Sequence, residues 1–300
     1  MSPEEPDEYR TAFQRDRDRI IHSKAFRRLK HKTQVFLNPE GDHYVTRLTH
    51  TLQVTQVGRA MATALGLNED LTEAICLAHD VGHSPFGHTG EDALSTFVEG
   101  EWLHSAQGVR VLTILDPLNL TWEVLDGIRA HSWKIDPPPS TPEGGLCRFA
   151  DRIAYLTHDV SDAIRAGVIA FTDLPESAAR TFGNSSTEWI ASMVQAVVNA
   201  SVETGVVTMD SPTLEVMHQL RDFMFERVYL RREHAPQKDW AVQVICQLTD
   251  WFQHHPDQVP ESYKVDDADD LTRAIDYVAG MTDRFAIRTH DALFRPTLFD

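Results

Sequence analysis

The sequence predicts an all-α fold, and three observations predict it. Helical periodicity of apolar residues dominates along the chain, no convincing series of alternating strands occurs, and there is no internal repeat. With 300 residues, 42% of them hydrophobic, the chain is long enough to bury a substantial core. We therefore expect a globular helical protein.

The first two predicted helices precede residue 66. One covers residues 9–32, and an extended segment at 35–37 then leads to a break at 38–42, which is rich in turn-forming residues. The next covers residues 46–65 and ends at Gly66, a residue that helix C termini favour. Its predicted core residues are Leu48, Leu52, Val57 and Met61.

A third predicted helix starts near Asn68 and stops at Gly82, with His79 and Asp80 in its last turn. Glycine and proline then impose a shaped loop before Glu91 opens another helix. The residues that shape this loop are Gly82, Pro85, Gly87 and Gly90.

Regular helices resume after residue 121. A helix at 122–131 leads into residues 136–145, whose prolines and glycines predict irregular structure. We interpret this segment as a surface loop inside one domain that spans residues 1–300. The predicted core covers about residues 9–166 and a C-terminal helical scaffold about 187–290. The remaining predicted helices cover residues 146–166, 188–203, 212–230, 238–255 and 271–288.

Composition limits the location and the partners. The net charge of −17 argues against binding of extended nucleic acid, although it does not exclude a small polyanion. No apolar run of 18 residues occurs and the N terminus is acidic, so we expect a cytoplasmic protein with no membrane segment. The three cysteines are widely spaced, which favours reduced core thiols over disulfides.

Histidine and aspartate residues form a candidate metal site. His79 and Asp80 are adjacent at a helix end, where both can turn toward one ion, and His50 and Asp151 on other helices complete a set of two histidines and two aspartates. Such ligands suit Mn, Fe, Co, Ni or Zn better than Ca, with Mg as an alternative. Four protein ligands leave open positions on an octahedral ion for a water and a phosphate oxygen.

Five stretches carry a resemblance to a known family: residues 9–23, 46–51, 79–91, 150–159 and 279–283. Together they resemble the deoxyguanosinetriphosphate triphosphohydrolase-like family of HD-domain metal-dependent phosphohydrolases. The resemblance implies an HD-domain helical bundle elaborated by C-terminal helices, a homo-oligomer, and one divalent ion. Mn or Mg is the first expectation for this ion, with Fe, Co, Ni or Zn as alternatives.

A second His-Asp pair, His158-Asp159, competes with Asp151 for the role of metal ligand. Asp151 and Asp159 lie about 12 Å apart along a helix, because each residue rises about 1.5 Å, so they cannot share one ion. The family pattern assigns the metal to Asp151. Tyr155 and Asp159 then follow on one face, where a substrate could lie.

The resemblance also implies the reaction. A deoxynucleoside triphosphate would be hydrolysed at its α-phosphorus, which releases the deoxynucleoside and inorganic triphosphate. His88 and Glu91 match the catalytic pair of the family, with the carboxylate orienting the imidazole. The competing interpretation is that Glu91 only caps a helix. His83 and His104 would approach the α-phosphate from either side.

Substrate contacts follow from the same resemblance. Arg47 and Arg152 would pair with the triphosphate, and Gln34 would bond to the 3′ hydroxyl of the sugar. Tyr155 would occupy the space of a 2′ hydroxyl and reject ribonucleotides, while Asp159 would help to hold the sugar or an adjacent cation.

Other functions stay open at this point. The metal set alone also suits a nucleoside 5′-monophosphatase or another HD phosphohydrolase, and a catalytically silent dNTP sensor would keep the same pocket. A purely structural helical protein is disfavoured by the metal set. Only 70 residues separate Asp80 and Asp151, so activation by a bound nucleotide is in doubt, and the proline-rich residues 137–142 could reshape the base pocket.

Overall fold

The computed structural model describes residues 7–34, 45–229 and 235–295. In these ranges the chain forms fourteen α-helices joined by loops and short 3₁₀ or π-helical turns, and no β-strand. The one pairing of extended residues is an isolated bridge between Thr33 and Thr46. The predicted all-α class is confirmed, whereas the predicted segments at 35–37 and 38–42 lie outside the described residues.

The helices range from 5 to 24 residues, and most begin with a side-chain cap. In chain order they are α1 (Ala12–His22), α2 (Lys24–Arg28), α3 (Arg47–Leu65), α4 (Glu69–Ala78), α5 (His88–Ser95), α6 (His104–Arg110), α7 (Trp122–Arg129), α8 (Pro142–Arg165), α9 (Glu176–Phe182), α10 (Ser186–Thr204), α11 (Ser211–Met224), α12 (Ala235–His254), α13 (Asp270–Ala279) and α14 (Asp283–Phe294). Across the described ranges, no helix is long and apolar enough to span a membrane.

Helices α3, α4 and α8 pack directly against one another at the centre of the protein. Thr46 caps the N terminus of α3, and Gly66 ends it in the left-handed conformation at φ 65°. Gly58 allows the close approach of α3 to α4, because a Cβ added there would lie 2.9 Å from Cys76 Sγ. This packing brings three helices together at the predicted metal ligands.

Two apolar clusters form the core. The larger one joins the central helices to α10 and α11, with Trp189 and Met193 among its buried residues. The second joins α5 to α12 and α13, and includes Leu94, Leu248 and Val278. Since α5 carries His88 and Glu91, the C-terminal helices support one wall of the candidate site directly.

The single helix predicted over residues 9–32 is wrong. Ser23 adopts an extended backbone, and its hydroxyl accepts a hydrogen bond from Phe26 N, which ends α1 and starts α2. A 3₁₀ turn at Leu29–His31 then completes the segment. A serine side chain competes for backbone groups in this way, so a serine inside an apparent helix can divide it.

Three further predictions also need correction. The helix predicted at 271–288 is two helices, because Thr282 caps a new one through Phe285 N. The four residues Pro142 to Gly145, predicted to be irregular, form the first turn of α8, in which proline is favoured because its missing N–H is not needed. Leu52, predicted to face the core, is 50% exposed.

Candidate metal centre and active site

The four predicted metal ligands converge. His50 lies on α3, and Asp151 lies on α8. His79 and Asp80 directly follow Ala78, the last residue of α4, so this helix ends four residues before Gly82, where it was predicted to stop. His50 Nε2 is 3.0 Å from Asp151 Oδ1, and His79 Nε2 is 3.4 Å from Asp80 Oδ1 and 3.7 Å from Asp151 Oδ1. Ligand atoms of His50, His79 and Asp151 all lie within 4.8 Å of one another, and Asp80 joins them through its contact with His79.

The protonation of His79 fits a metal ligand. Its Nδ1 donates a hydrogen bond to Cys76 O at 2.7 Å, which leaves the lone pair of Nε2 directed at the carboxylates. That Nε2 is buried and has no hydrogen-bond partner within the described part of the chain. A buried nitrogen without a partner is costly unless a ligand occupies it, so the residues present fit a divalent cation.

Both carboxylates of the cluster are ionised. Burial opposes the charge of Asp80, but the guanidinium of Arg47 and the hydrogen bond from His83 hold the pKa of Asp80 well below its usual range. Burial likewise opposes ionisation of Asp151, whose pKa is lowered to about 2 mainly by the hydrogen bond from His50. The carboxylates of buried Asp80 and half-buried Asp151 therefore face the two imidazoles in the form that binds a cation.

Arg47 lies against the metal cluster. Its Nη1 is 2.8 Å from Asp80 Oδ2, and both side chains are buried. Gly87, at φ 60°, passes so close that a Cβ there would lie 2.8 Å from Arg47 Nη2. In this structure the arginine predicted to pair with triphosphate neutralises Asp80, and its Nε remains buried without a hydrogen-bond partner among the residues described.

Glu91 joins two histidines. Its Oε2 is 3.0 Å from His88 Nδ1, and its Oε1 accepts hydrogen bonds from the backbone N of His104 at 2.9 Å and from His104 Nδ1 at 3.0 Å. Burial opposes its charge, but attraction by His104 and His88 holds the pKa of Glu91 well below its usual range. Glu91 lies inside the first turn of α5, and the described hydrogen bonds of its carboxylate are with these two histidines.

The imidazole of His88 is the accessible member of this group. Its side chain is 76% exposed, whereas Glu91 beneath it is 11% exposed. The ring of His83 stacks on His104, with centroids 3.7 Å apart, and its Nε2 lies 3.2 Å from Asp80 Oδ1. Burial, Arg47 and His104 together hold the pKa of His83 well below its usual range, so this imidazole is neutral.

His131 is a member of the site that the sequence did not indicate. Its Nε2 is 3.0 Å from His104 Nε2, its Nδ1 donates to Ile128 O at 2.7 Å, and its ring lies edge to face with His79, with centroids 5.1 Å apart. Burial lowers the pKa of His131 to about 3, so the ring is neutral. In the sequence it is a lone histidine at the end of an ordinary predicted helix, with no motif to distinguish it.

Arg152 follows the predicted metal ligand Asp151 in the sequence, but its side chain contacts a different set of partners. Its guanidinium stacks on the ring of Trp133, 4.0 Å from the centroid, and its Nη1 is 3.2 Å from His218 Nε2. Neither Trp133 nor His218 was predicted as a site residue. They hold the guanidinium in one orientation beside Tyr155, a half-buried residue whose pKa is raised by burial.

Asp159 is buried and accepts a hydrogen bond from Tyr229 OH at 2.6 Å. Burial raises the pKa of Asp159 to about 7, although the hydrogen bond from Tyr229 acts in the opposite direction. Tyr229 was not predicted. Gln34 lies at the edge of the described residues, and its Oε1 is buried with no hydrogen-bond partner described, so it can accept one from a ligand.

Two known families match separate segments of the chain. The HD domain family matches residues 47–156, which contain all four predicted metal ligands, His88 and Glu91. The phosphohydrolase-associated domain family matches residues 207–292, which contain α11 to α13 and most of α14. HD domains bind divalent metals, in agreement with the His and Asp clusters described above.

Curated relatives match nearly the whole chain. A protein of Caldanaerobacter subterraneus is 47% identical over 98% of this chain and 88% of its own length. Proteins of Desulfatibacillum aliphaticivorans and Clostridium perfringens are each 42% identical over 98% of this chain, and over 91% and 90% of their own lengths. All three are named deoxyguanosinetriphosphate triphosphohydrolase-like protein.

A solved structure shares the fold. The crystal structure of a hypothetical protein from Aquifex aeolicus superposes with a TM-score of 0.53 at 20% identity, over 95% of this chain and 69% of that one. The identity of the relatives and the extent of their match together show that this chain belongs to the deoxyguanosinetriphosphate triphosphohydrolase-like family of HD-domain phosphohydrolases.

Proposed function

We propose that this protein hydrolyses deoxynucleoside triphosphates, dGTP among them, to the deoxynucleoside and inorganic triphosphate. The observation that carries the proposal is the cluster of His50, His79 and Asp151 next to Asp80, with the exposed imidazole of His88 nearby. The names of the curated relatives support the choice of substrate.

One divalent ion, Mn or Mg before the other first-row metals, would be held by His50, His79, Asp80 and Asp151. When bound, such an ion polarises phosphate oxygens and lowers the pKa of a water molecule. The buried Nε2 of His79 is the feature of the chain that fits it best, since the opposite ring nitrogen is fixed by Cys76 O.

His88 serves as the general acid. Attack of water on the α-phosphorus forms a new P–O bond and breaks the bond to the 5′ oxygen, which is a poor leaving group unless it is protonated. The imidazolium of His88 donates that proton, and Glu91 orients and stabilises it through the 3.0 Å contact to Nδ1. His83 and His104 flank the α-phosphate, and their stacked rings fix one wall of the site.

The remaining residues hold the substrate. Arg152, oriented by Trp133, and Arg47, through its unpaired Nε, bind the triphosphate. Gln34 accepts a hydrogen bond from the 3′ hydroxyl of the sugar. Tyr155 occupies the space that a 2′ hydroxyl would need, and Asp159 lies behind it toward Tyr229.

We also propose that residues 1–300 act as one functional unit and as a homo-oligomer. The second apolar cluster supports the first statement, because it joins α5 to the C-terminal helices and so ties the catalytic pair to the phosphohydrolase-associated segment. The family resemblance supports the second.

The test is to incubate the purified protein with each of the four dNTPs and with GTP, in Mg²⁺ or Mn²⁺, and to separate the products by anion exchange. We expect inorganic triphosphate and deoxynucleoside from at least one dNTP, and none from GTP. Release of orthophosphate or pyrophosphate would contradict the proposed cut. Hydrolysis of deoxynucleoside 5′-monophosphates alone would favour the monophosphatase, and tight dNTP binding without turnover would favour a sensor.

A further inference from the structure

Two neighbouring elements carry exposed cations that have no counter-charge. Lys24, Arg27 and Lys30 lie on α2 and on the 3₁₀ turn that follows it, and Arg284 and Arg288 lie about one turn apart on α14. All five side chains are exposed, and none forms an ion pair with a carboxylate of the described residues. We call these five residues the cationic face. In a chain with a net charge of −17, such a concentration of unpaired cations indicates an anionic partner.

The two halves of the cationic face lie close together. Asp283, the first residue of α14, accepts a hydrogen bond from Thr33 N at 2.9 Å, just beyond the 3₁₀ turn. Partial burial and the nearby charges of Lys30 and Arg284 lower the pKa of His31. Like charges so near one another repel, and a partner with negative charge would relieve that repulsion.

The segment between α12 and α13 carries the opposite charge. Asp257, Asp267 and Asp269 are exposed there, and none forms an ion pair with a lysine or arginine of the described residues. Asp269 also caps α13 through Thr272 N at 2.7 Å. Other acids of this segment are already paired with a lysine or an arginine of the same protomer. We call the three unpaired aspartates the acidic strip.

The cationic face and the acidic strip lie side by side on one protomer. Arg28 Nη1, on α2, donates a hydrogen bond to the hydroxyl of Tyr263 at 3.0 Å, and Tyr263 belongs to the segment that carries the strip. Lys24 lines the same groove as these two residues. Even so, no ion pair joins the face to the strip within the described ranges. Adjacent surfaces of opposite charge are complementary to a copy of themselves related by a two-fold axis, because each then meets the other.

We propose that the cationic face of one protomer docks on the acidic strip of a second copy of this chain, so that a two-fold dimer contains the contact twice. The contact rests on the proposed homo-oligomer and gives it its surfaces. Phe285, 43% exposed between the two arginines of α14, and Val265, 51% exposed within the acidic segment, add apolar area to the contact. Exposed ion pairs contribute little one at a time, whereas complementary charge determines which surfaces meet.

Reversal of the charges tests the contact. Arg284→Glu/Arg288→Glu gives the face the charge of the strip, and Asp257→Arg/Asp267→Arg gives the strip the charge of the face. Each double variant alone is expected to have half the wild-type mass in sedimentation equilibrium, because like charges then meet at both contacts. An equimolar mixture of the two is expected to return to the wild-type mass, because both contacts of the mixed dimer regain opposite charges.

The matched control is Arg59→Glu/Arg180→Glu, which changes the net charge by the same amount as the first variant, at exposed positions of α3 and α9. It is expected to keep the wild-type mass. Circular dichroism checks that every variant is folded. If a reversed variant does not fold, the wild type still decides, since added NaCl screens exposed charges and should lower its mass toward one half. A mass that does not respond to salt would then overturn the contact.

The wild-type mass in either reversed variant, or the failure of two folded variants to associate, would overturn the docking surface. A monomeric wild type that binds inorganic polyphosphate, with binding lost in Arg284→Glu/Arg288→Glu, would assign the face to a polyanion and overturn the second copy as its partner. Hydrolysis of dNTPs is assayed on the same samples. Restored mass in the mixture without hydrolysis by the wild type would overturn only the proposed reaction, whereas hydrolysis by a monomeric wild type would overturn only the dimer.

Discussion

Arg47 and Asp80 form a buried ion pair, in which Arg47 Nη1 lies 2.8 Å from Asp80 Oδ2. The side chains are 2% and 5% exposed, so water screens neither charge. Removal of one partner from such a pair leaves an uncompensated buried charge, which costs about 3–5 kcal/mol. The pair therefore keeps the proposed metal ligand Asp80 ionised in the absence of metal, and we expect it to make metal binding and stability interdependent.

Replacement of Arg47 tests this interdependence. Arg47→Met should lower the free energy of unfolding by about 3–5 kcal/mol in EDTA, and saturating Mn²⁺ should recover part of the loss because the cation then neutralises Asp80. Urea unfolding with and without Mn²⁺ measures both effects. The control is Arg59→Met, whose exposed pair with Glu69 should be worth about 0–1 kcal/mol with or without metal. Equal losses in the two variants would contradict the role of the buried pair.

Substitutions of Asp80 and of His88 should distinguish the residue that binds metal from the residue that transfers a proton. Asp80→Ala should lose both bound metal and turnover, because it removes a buried carboxylate of the cluster. His88→Ala should keep the metal and lose about 10²–10⁴-fold in turnover, the usual contribution of a general acid, since this exposed ring contacts Glu91 and not the cluster. Metal analysis and steady-state kinetics on each variant provide the test. Activity in the first, or metal loss in the second, would refute these assignments.

Asp159 makes stability depend on pH. Burial raises its pKa to about 7 from the ordinary 3.8, so the folded protein keeps a proton that the unfolded chain releases. The stabilisation that protonated Asp159 contributes is fully present below about pH 4. It is lost progressively as the pH rises from about 4 through about 7. Asp159→Asn should therefore raise the free energy of unfolding by about 2–4 kcal/mol at pH 8 and change it little at pH 4.

Urea denaturation at the two pH values measures this difference, with the exposed Asp250→Asn as a control that should be neutral at both. A variant that is no more stable than wild type at pH 8 would show that Asp159 is charged at little cost, contrary to its buried position against Tyr229.

Asp283 fixes the loop that precedes His88. Its carboxylate accepts hydrogen bonds from Thr33 N at 2.9 Å, from Thr33 Oγ1, and from Phe86 N at 3.1 Å. Phe86 has φ 62°, a left-handed conformation that costs about 1–3 kcal/mol in a residue other than glycine.

A second side chain ties the same loop to the C-terminal helices, because Lys32 Nζ donates hydrogen bonds to His83 O and to Ala279 O. The C-terminal helices thus hold the loop through Asp283.

Asp283→Ala should consequently lower turnover about tenfold or more while the number of bound ions stays the same, because small displacements of catalytic groups are costly. It should also lower the free energy of unfolding by about 2–4 kcal/mol, since hydrogen bonds to a buried carboxylate are lost. Asp291→Ala, on the exposed side of α14, is the matched control and should change neither. Unchanged kcat in Asp283→Ala would mean that the loop holds its shape without this carboxylate.

The proximity of the four proposed metal ligands could be predicted from the sequence because part of their motif is local. His79 and Asp80 are adjacent where a helix ends at a glycine-rich loop, and the helices that carry His50 and Asp151 have clear apolar faces. The helical class followed from the same periodicity. These features depend on residues close together in the chain, so they can be recognised in the sequence itself.

The site residues and helix boundaries that the sequence did not indicate depend on contacts that no local pattern reveals. His131 reaches His104 across 27 positions, and Tyr229 reaches Asp159 across 70, so no local pattern distinguishes either residue. Ser23 divides a periodic segment through a hydrogen bond that competes with the helix, and Leu52 continues an apolar pattern on a face that the rest of the fold leaves exposed. Tertiary packing, and not the local sequence pattern, determines where such a helix breaks and which of its faces is exposed.

The most direct test of the central claim is hydrolysis of dGTP in ¹⁸O-labelled water, with both products analysed by mass spectrometry. Attack on the α-phosphorus predicts one labelled oxygen in the inorganic triphosphate and none in the deoxyguanosine, because the nucleoside keeps its own 5′ oxygen. Label in the deoxyguanosine would place the cut at the carbon–oxygen bond, and label in orthophosphate or pyrophosphate would place it elsewhere in the chain of phosphates. Either result would contradict the proposed reaction.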